Sequence, residues 1–247
     1  MIAVSMRIFL TVLALLSAAA AQTASPAGKL SHATKLIVVV TPDWNAVSGT
    51  LTRYQRKHGK WDKVGREVPI VVGKTGLAWD PRLAQGHAAD FPGPVKHEGD
   101  GKSPAGVFGI PNTFGFAPSL GTSAIYIPLT PTTECVDDAS SGHYTQIVDR
   151  LKIRDVDWNS SEKMRQVPEY RQGAVVDYNM DHPVPGNGSC IFLHIWSGPG
   201  QGTVGCTAMA AGDMEELLSW IESKGQTALV QLPQQEYQRL KSGWKLP

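Results

Sequence analysis

A mostly β fold with a few short helices is what this sequence predicts, on three observations. The 247 residues include 25 glycines and 17 prolines, which interrupt the chain too often for a helical bundle. The apolar residues fall in short runs bounded by turn formers. Clear helical spacing occurs in one stretch near the carboxyl end. A composition of 42% hydrophobic and 18% charged residues is enough for a buried core and excludes a disordered tail or linker. Lys+Arg 23 against Asp+Glu 22, a formal charge of +1, gives no basic footprint for neutralising phosphates, so nucleic acid is not an expected partner.

The chain opens with Arg7, the apolar run Ile8 to Leu16, Ser17, and the small residues Ala18 to Ala21 before Gln22. This is the pattern of a secretory signal peptide over residues 1–21, and the run is far shorter than the roughly 20 residues needed to span a bilayer. No cysteine follows it to accept a lipid, so the expected mature protein is exported, to a periplasm or cell envelope, with no stable membrane anchor. Lys35 to Thr41, Gly49 to Arg56 and Glu67 to Gly73 read as three strands of an antiparallel meander, divided by turns at Pro42-Asp43 and His58-Gly59. Pro81 to Pro104 is polar and glycine-rich and reads as a surface loop; Val107 to Ile110 resumes strand character. Ser160 to Arg165 reads as a short helix capped by Ser160 or Ser161. Gly173 to Asn179 and Cys190 to Trp196 read as a strand pair separated by the turn-rich His182 to Gly188.

The helical stretch is Asp213 to Ser223, where Met214, Leu217, Leu218 and Ile221 share one face. Asp213 sits where an N-cap belongs, with Glu216 three residues on. There is no internal repeat and no second hydrophobic block, so one domain is expected over residues 30–247.

Three cysteines, Cys135, Cys190 and Cys206, form an odd set for an oxidising compartment, which points to an intermolecular bridge or one free reactive thiol. The most informative segment is Gly188 to Met209 (GSCIFLHIWSGPGQGTVGCTAM). His194 lies near the end of an apolar strand, and Cys206 follows Gly205 just ahead of the helix. A thiol needs a base to become a thiolate, and the loop between the two is long enough to return a hairpin-like turn to the imidazole. Gly205, without a side chain, lets successive N–H groups converge on a developing oxyanion. Spacing alone leaves plain packing open for both residues. A zinc set of His182, Cys190, His194 and Cys206 is weaker still, for it has none of the paired spacings of zinc sites. No nucleotide or flavin motif is present, and no cofactor or metal is expected.

The segment resembles the catalytic core of the L,D-transpeptidase (YkuD-type) family, in which a strand His precedes Ser-x-Gly-Cys. Here His194 is followed by Thr203-Val204-Gly205-Cys206, with Thr in place of Ser. Gly99 to Phe116 is similar to the family's T-P-x-G-x-F region, with Ser103 standing for Thr. Cys135 to Asp138, Asp157 to Ser160 and Val176 to Asn179 are similar to a branch of the same family. The departure follows the nucleophile position, where Thr207-Ala208 replaces the Ile-Arg of many members.

The resemblance implies a β-rich catalytic domain with mixed sheets and a helix after the nucleophile, in an exported, peptidoglycan-modifying enzyme. It assigns Cys206 as nucleophile toward a diaminopimelate-type carbonyl in a stem tetrapeptide, His194 as base, and the amides of Gly205 and Cys206 as oxyanion donors. Expulsion of D-Ala leaves a thioester that an amine of a second stem resolves into a crosslink. The Ile195 carbonyl orients the imidazole; Ile195, Thr203 and Trp196 make up the substrate side, with Trp196 against the stem or, as favoured, the core. Pro81 to Pro104 and Trp158 to Met164 are the expected groove walls. Assigning Cys206 this role leaves Cys135 and Cys190, by count, as a candidate disulfide. Hydrolysis of the same stems, as a carboxypeptidase or endopeptidase, and a non-catalytic wall-binding role stand as alternatives. His-before-Cys order disfavours a papain-like peptidase, and the short separation disfavours a sortase-like one. The oligomeric state is not encoded in any of these patterns.

Overall fold

The computed structural model describes residues 26–85, 89–119 and 125–247, so the expected leader over residues 1–21 lies outside the described residues. A short helix α1 (Pro26–His32) leads into the meander β1 (Lys35–Thr41), β2 (Ser48–Lys57) and β3 (Lys60–Val71). All three neighbours pair antiparallel as the sequence predicts, around the turn at His58-Gly59. β3 begins well before Glu67, because its polar first half pairs along the whole of β2. The next elements are β4 (Leu77–Trp79), the single turn α2 (Pro81–Ala84) and β5 (Ser103–Gly109). Beyond them come β6 (Thr113–Gly115), β7 (Tyr126–Pro128), β8 (Thr133–Val136), β9 (Ile147–Asp149) and β10 (Ser161–Lys163). The chain then runs through β11 (Gln172–Val175), β12 (Phe192–Ile195), β13 (Thr207–Met209), α3 (Ala211–Glu222), β14 (Thr227–Pro233) and α4 (Gln234–Leu240).

Among the described residues, eleven strands join in the order β4-β5-β14-β1-β2-β3-β13-β12-β11-β6-β7, and β10-β8-β9 form a second, three-stranded sheet. The large sheet is mixed: β1 runs parallel to β14 and β12 parallel to β13. Its central strands are covered on both faces, so apolar residues run on without alternation; Leu36, Ile37 and Val39 of β1 and Leu229 and Val230 of β14 belong to the same core cluster as Met214, Leu217 and Ile221 of α3. A second apolar cluster gathers Phe114, Cys135, Met164, Tyr170, Cys190, Phe192 and Cys206. Cys135 and Cys190 are joined by a disulfide, which ties the small sheet to the start of β12.

Two local expectations are corrected. Residues 160–165 form no α-helix: Ser161–Lys163 is a strand paired with β8, followed by a 3₁₀ turn at Met164–Gln166. The cause is tertiary. Ser161 Oγ and Lys163 Nζ both donate to Glu134 across the pair, and a strand, with alternate residues on one face, is the conformation that lets both reach it. Asp213 is not a cap either, for α3 begins at Ala211 with Ala210 before it. Asp213 pairs with Arg66 of β3, and Glu216 with Arg53 of β2, so both carboxylates fasten the helix to the sheet. The buried apolar face of α3 is as predicted.

Glu134 is 2% exposed. Burial alone would raise its pKa, but hydrogen bonds from Lys163, Ser161 and Trp158 hold it down at about 2. A carboxyl lowered on folding contributes stability above its unfolded pKa and loses it as pH falls toward the folded value. Stability should therefore decline between about pH 5 and pH 2. Glu134→Gln should lower unfolding free energy at pH 7 by about 2–4 kcal/mol, with a shallower acid slope in urea titrations. The disulfide closes a 55-residue separation, worth about 4 kcal/mol of chain entropy. Thiol titration of the unreduced, denatured protein should find one thiol, and reductant should lower the denaturation midpoint; three thiols without reductant would contradict the bridge.

Candidate active site

Cys206 ends the turn that enters β13, and three segments distant in sequence meet there. Its carbonyl accepts hydrogen bonds from Ser103 Oγ at 2.8 Å and from Thr203 Oγ1 at 2.6 Å. Ser103 Oγ in turn accepts the Gly73 amide at 2.8 Å, and Thr203 Oγ1 accepts the Gly205 amide at 3.1 Å. Gly205 sits in a tight approach: a Cβ there would come within 3.3 Å of Ile191 Cδ1 and of the Lys102 carbonyl. The connection from His194 to Cys206 is not a hairpin, because β12 and β13 are parallel, with Leu193 opposite Thr207 and His194 opposite Ala208. Two adjacent parallel strands need a crossover of about a dozen residues, and the Gly-rich loop between Ile195 and Cys206 supplies it.

The sulfur lies level with Phe192, whose amide donates to Sγ at 3.3 Å, while the thiol donates to the Cys190 carbonyl at 3.5 Å. Burial pushes the Cys206 thiol up to about 12, aided by the facing Glu162 carboxylate and opposed by the Phe192 and Tyr170 hydrogen bonds. His194 is 7% exposed, and burial lowers its pKa against the opposing pull of the Ile195 carbonyl and Glu169. Its Nδ1 lies 2.7 Å from the Ile195 carbonyl; a carbonyl only accepts, so Nδ1 carries the proton and Nε2 is the basic nitrogen. Thiol and imidazole are thus both neutral at rest.

Both side chains line a cleft of about 330 Å³, together with Glu162, Val167, Glu169 and Tyr170 and with residues 196–197 and 201–204 of the crossover loop. Tyr170 stacks edge-on to the His194 ring at 5.1 Å and donates from its hydroxyl to Glu162 Oε2 at 2.8 Å. The family model for the L,D-transpeptidase catalytic domain (YkuD) matches residues 37–230, a span that contains every residue of this cleft. The chain belongs to the YkuD family of L,D-transpeptidase catalytic domains. No curated protein and no solved structure gives a match.

In this YkuD domain the residues read from sequence fall unequally around the cleft. Cys206, His194 and Thr203 line it together, although the Thr203 hydroxyl is already engaged with Cys206 O. Ile195 is buried at 4% in the main core and offers the cleft no side chain; its part is the carbonyl that holds His194. Trp196, expected in the core, is a half-exposed wall of the cleft instead, because its strand has ended and its side chain leaves the sheet. The Gly205 amide points at Thr203 Oγ1 and not into the cleft, which leaves the Cys206 amide as the remaining candidate oxyanion donor. Among the described residues of the loop Pro81 to Pro104 none lines the cleft; Ser103 near its end braces the turn through the Cys206 carbonyl. From Trp158 to Met164 only Glu162 is among the lining residues. The zinc set fails because Cys190 is consumed by the disulfide.

Thr207 and Ala208 do not face the cleft. The Thr207 hydroxyl donates to Gln231 Oε1 at 2.6 Å and Ala208 is fully buried, so the pair fills the sheet where many relatives carry Ile-Arg. Sequence reasoning singles out neither Tyr170 nor Glu162: Tyr170 lies in a Pro-Glu-Tyr-Arg run with no motif, and Glu162 falls inside the expected Trp158 to Met164 groove wall but within a stretch read as helical.

A thiol held this high reacts slowly with alkylating agents at neutral pH. The rate of Cys206 modification by iodoacetamide should rise about tenfold per pH unit from 7 to 10 without a plateau. A plateau below pH 8 would reveal a preformed thiolate–imidazolium pair and contradict the neutral resting state.

Proposed function

We propose that this chain is an exported cysteine L,D-transpeptidase that acts on peptidoglycan stem tetrapeptides through a thioester. The observation that carries this reading is the single cleft shared by Cys206 and His194, with the His194 Nδ1–H fixed on the Ile195 carbonyl so that Nε2 is free to take a proton. Export is supported by the Arg7 to Ala21 pattern and by the Cys135–Cys190 bridge, which suits an oxidising compartment.

Since thiol and imidazole are neutral, proton transfer accompanies attack and does not precede it. The thiol leaves the Cys190 carbonyl, gives its proton to His194 Nε2, and the sulfur bonds to the carbonyl carbon of the diaminopimelate-type residue. The Cys206 amide receives the developing oxyanion. Collapse of this intermediate breaks the C–N bond to D-Ala, and the His194 proton goes to the departing amine. The amine of a second stem then attacks the thioester; its proton passes to His194, the C–S bond breaks, and the thiolate is reprotonated. Water in place of that amine would give the carboxypeptidase or endopeptidase outcome.

The test is mass spectrometry of the leaderless, disulfide-intact protein and its Cys206→Ala variant with purified tetrapeptide muropeptides. Crosslinked dimers that have lost D-Ala, from the wild type alone, are the expected result, with His194→Ala reducing turnover by about 10²–10⁴-fold. Monomers lacking D-Ala would make it a hydrolase on the same thiol. Equal products from wild type and Cys206→Ala would overturn the thiol mechanism, and a wild type inert toward every stem would favour the wall-binding reading.

A further inference from the structure

The chemistry above leaves the half-buried carboxylate of Glu162 without a task. Glu162 lines the same cavity as Cys206 and His194, and its carboxylate edge reaches it from the middle of β10. Strand register puts it there: Glu162 lies opposite Cys135, while its neighbour Lys163 lies opposite Glu134 and pairs with it. Alternation therefore sends Lys163 to one face and Glu162 to the other, toward the nucleophile. Among the described residues no Lys or Arg pairs with Glu162, and its hydrogen bond is the Tyr170 hydroxyl at 2.8 Å. No Lys or Arg lines the cleft, whereas a second carboxylate, Glu169, stands at its rim and accepts from Ser197 Oγ at 3.0 Å.

A half-enclosed carboxylate without a counter-cation beside an acyl-accepting sulfur is matched by one kind of reactant. Buried charges are normally paired, and a substrate carboxylate would be repelled here. A primary ammonium would be attracted, hydrogen-bonded, and brought within reach of the thioester carbon. We propose that Glu162 seats the ammonium of the acyl acceptor and takes one of its protons, so that aminolysis of the Cys206 thioester prevails over hydrolysis. This rests on the thioester reading of the preceding section.

The step balances. R–NH₃⁺ gives a proton to Glu162; the freed amine forms the C–N bond at the thioester carbon; its second proton passes to His194 as the C–S bond breaks. The Cys206 thiolate recovers that proton from His194, and Glu162 loses its own to solvent. The carboxyl is suited to the exchange: burial raises it, the Tyr170 hydrogen bond opposes, and Asp137 and Glu98 raise it further, to about 7. Because its charge also pushes the thiol up, an ammonium docked on Glu162 favours thiolate departure in the same event.

The experiment loads wild type and Glu162→Gln with a tetrapeptide stem and adds a stem bearing a free diaminopimelate-type amine. Mass spectrometry then reads the ratio of amide to acid product. That ratio partitions one thioester, so it does not depend on how fast the thioester forms. Glu162→Gln should lower it at least tenfold and raise the acceptor KM, with Glu162→Asp restoring part of it; an unchanged ratio would overturn the proposal. A second arm uses wild type alone, so it does not depend on the variant folding. A non-nucleophilic trimethylammonium analogue of the acceptor should inhibit amide formation at least fivefold better than its neutral tert-butyl isostere, and equal inhibition would overturn the proposal. A wild type that forms no thioester overturns the function reading as well, a result distinct from an unchanged partition.

Discussion

The active-site half of the molecule depends on one acceptor, the carbonyl of Cys206. Two hydroxyls, Ser103 at the start of β5 and Thr203 in the same turn as Cys206, converge on it, and each is itself an acceptor for a backbone amide, of Gly73 and Gly205 respectively. A hydroxyl that both donates and accepts has a fixed orientation, so the turn carrying the nucleophile is held without any bulky side chain. That matters because the space behind it is already filled by Ile191 and the Lys102 carbonyl. A side chain at the position before Cys206 would crowd the same atoms, which favours glycine there. The hydroxyls at 103 and 203, and the glycine at 205, are thus parts of one construction.

With the turn fixed, the sulfur's surroundings follow. Its partners are a backbone amide and a backbone carbonyl two residues apart in the 190–192 segment, and the disulfide anchors the first of these residues. Cys190 adopts φ of 53°, a left-handed conformation uncommon for a residue with a side chain; the bridge to Cys135 and the contacts of the second apolar cluster hold it there. A sulfur in this setting is a poor thiolate, which limits reaction with solutes that do not fill the cleft. In the proposed mechanism reactivity waits for a carbonyl carbon placed at the sulfur and for His194 Nε2 to receive the proton, which would build selectivity into the resting state.

Much of the fold was legible because its signals are local. The run Lys35 to Thr41, the turn at His58-Gly59 and the apolar face of α3 each declare themselves within a few residues. Pairing between distant segments carries no such signal: β14 beside β1, and β13 parallel to β12, join strands whose neighbours are fixed only by the whole sheet. Cys206 and His194 were readable through a motif, and Ser103 through a second one. Glu162 was not. Ser-Ser-Glu-Lys-Met-Arg has the look of a helix start, and what makes it a strand is the Glu134 carboxylate on another segment, toward which Ser161 and Lys163 must both point.

Those two carboxylates show how one register produces two roles. Glu134 and Glu162 sit on adjacent, antiparallel strands, a residue apart in pairing and on opposite faces. Glu134 meets Lys163, Ser161 and Trp158, stays ionised down to about pH 2, and secures the small sheet. Glu162 is raised to about 7 by desolvation first and by the like charges of Asp137 and Glu98 after it, with the one hydrogen bond from Tyr170 opposing. Sliding the pair by one residue would exchange their faces, withdrawing the charge from the cleft and breaking the ion pairs behind it at once. Pairing that is required for stability therefore also places Glu162, the proposed proton acceptor, in the cleft with Cys206. The disulfide at Cys135, the residue opposite Glu162, ties β8 to the segment before β12, and so holds the strand that Glu162 pairs with beside the backbone groups that meet the Cys206 sulfur.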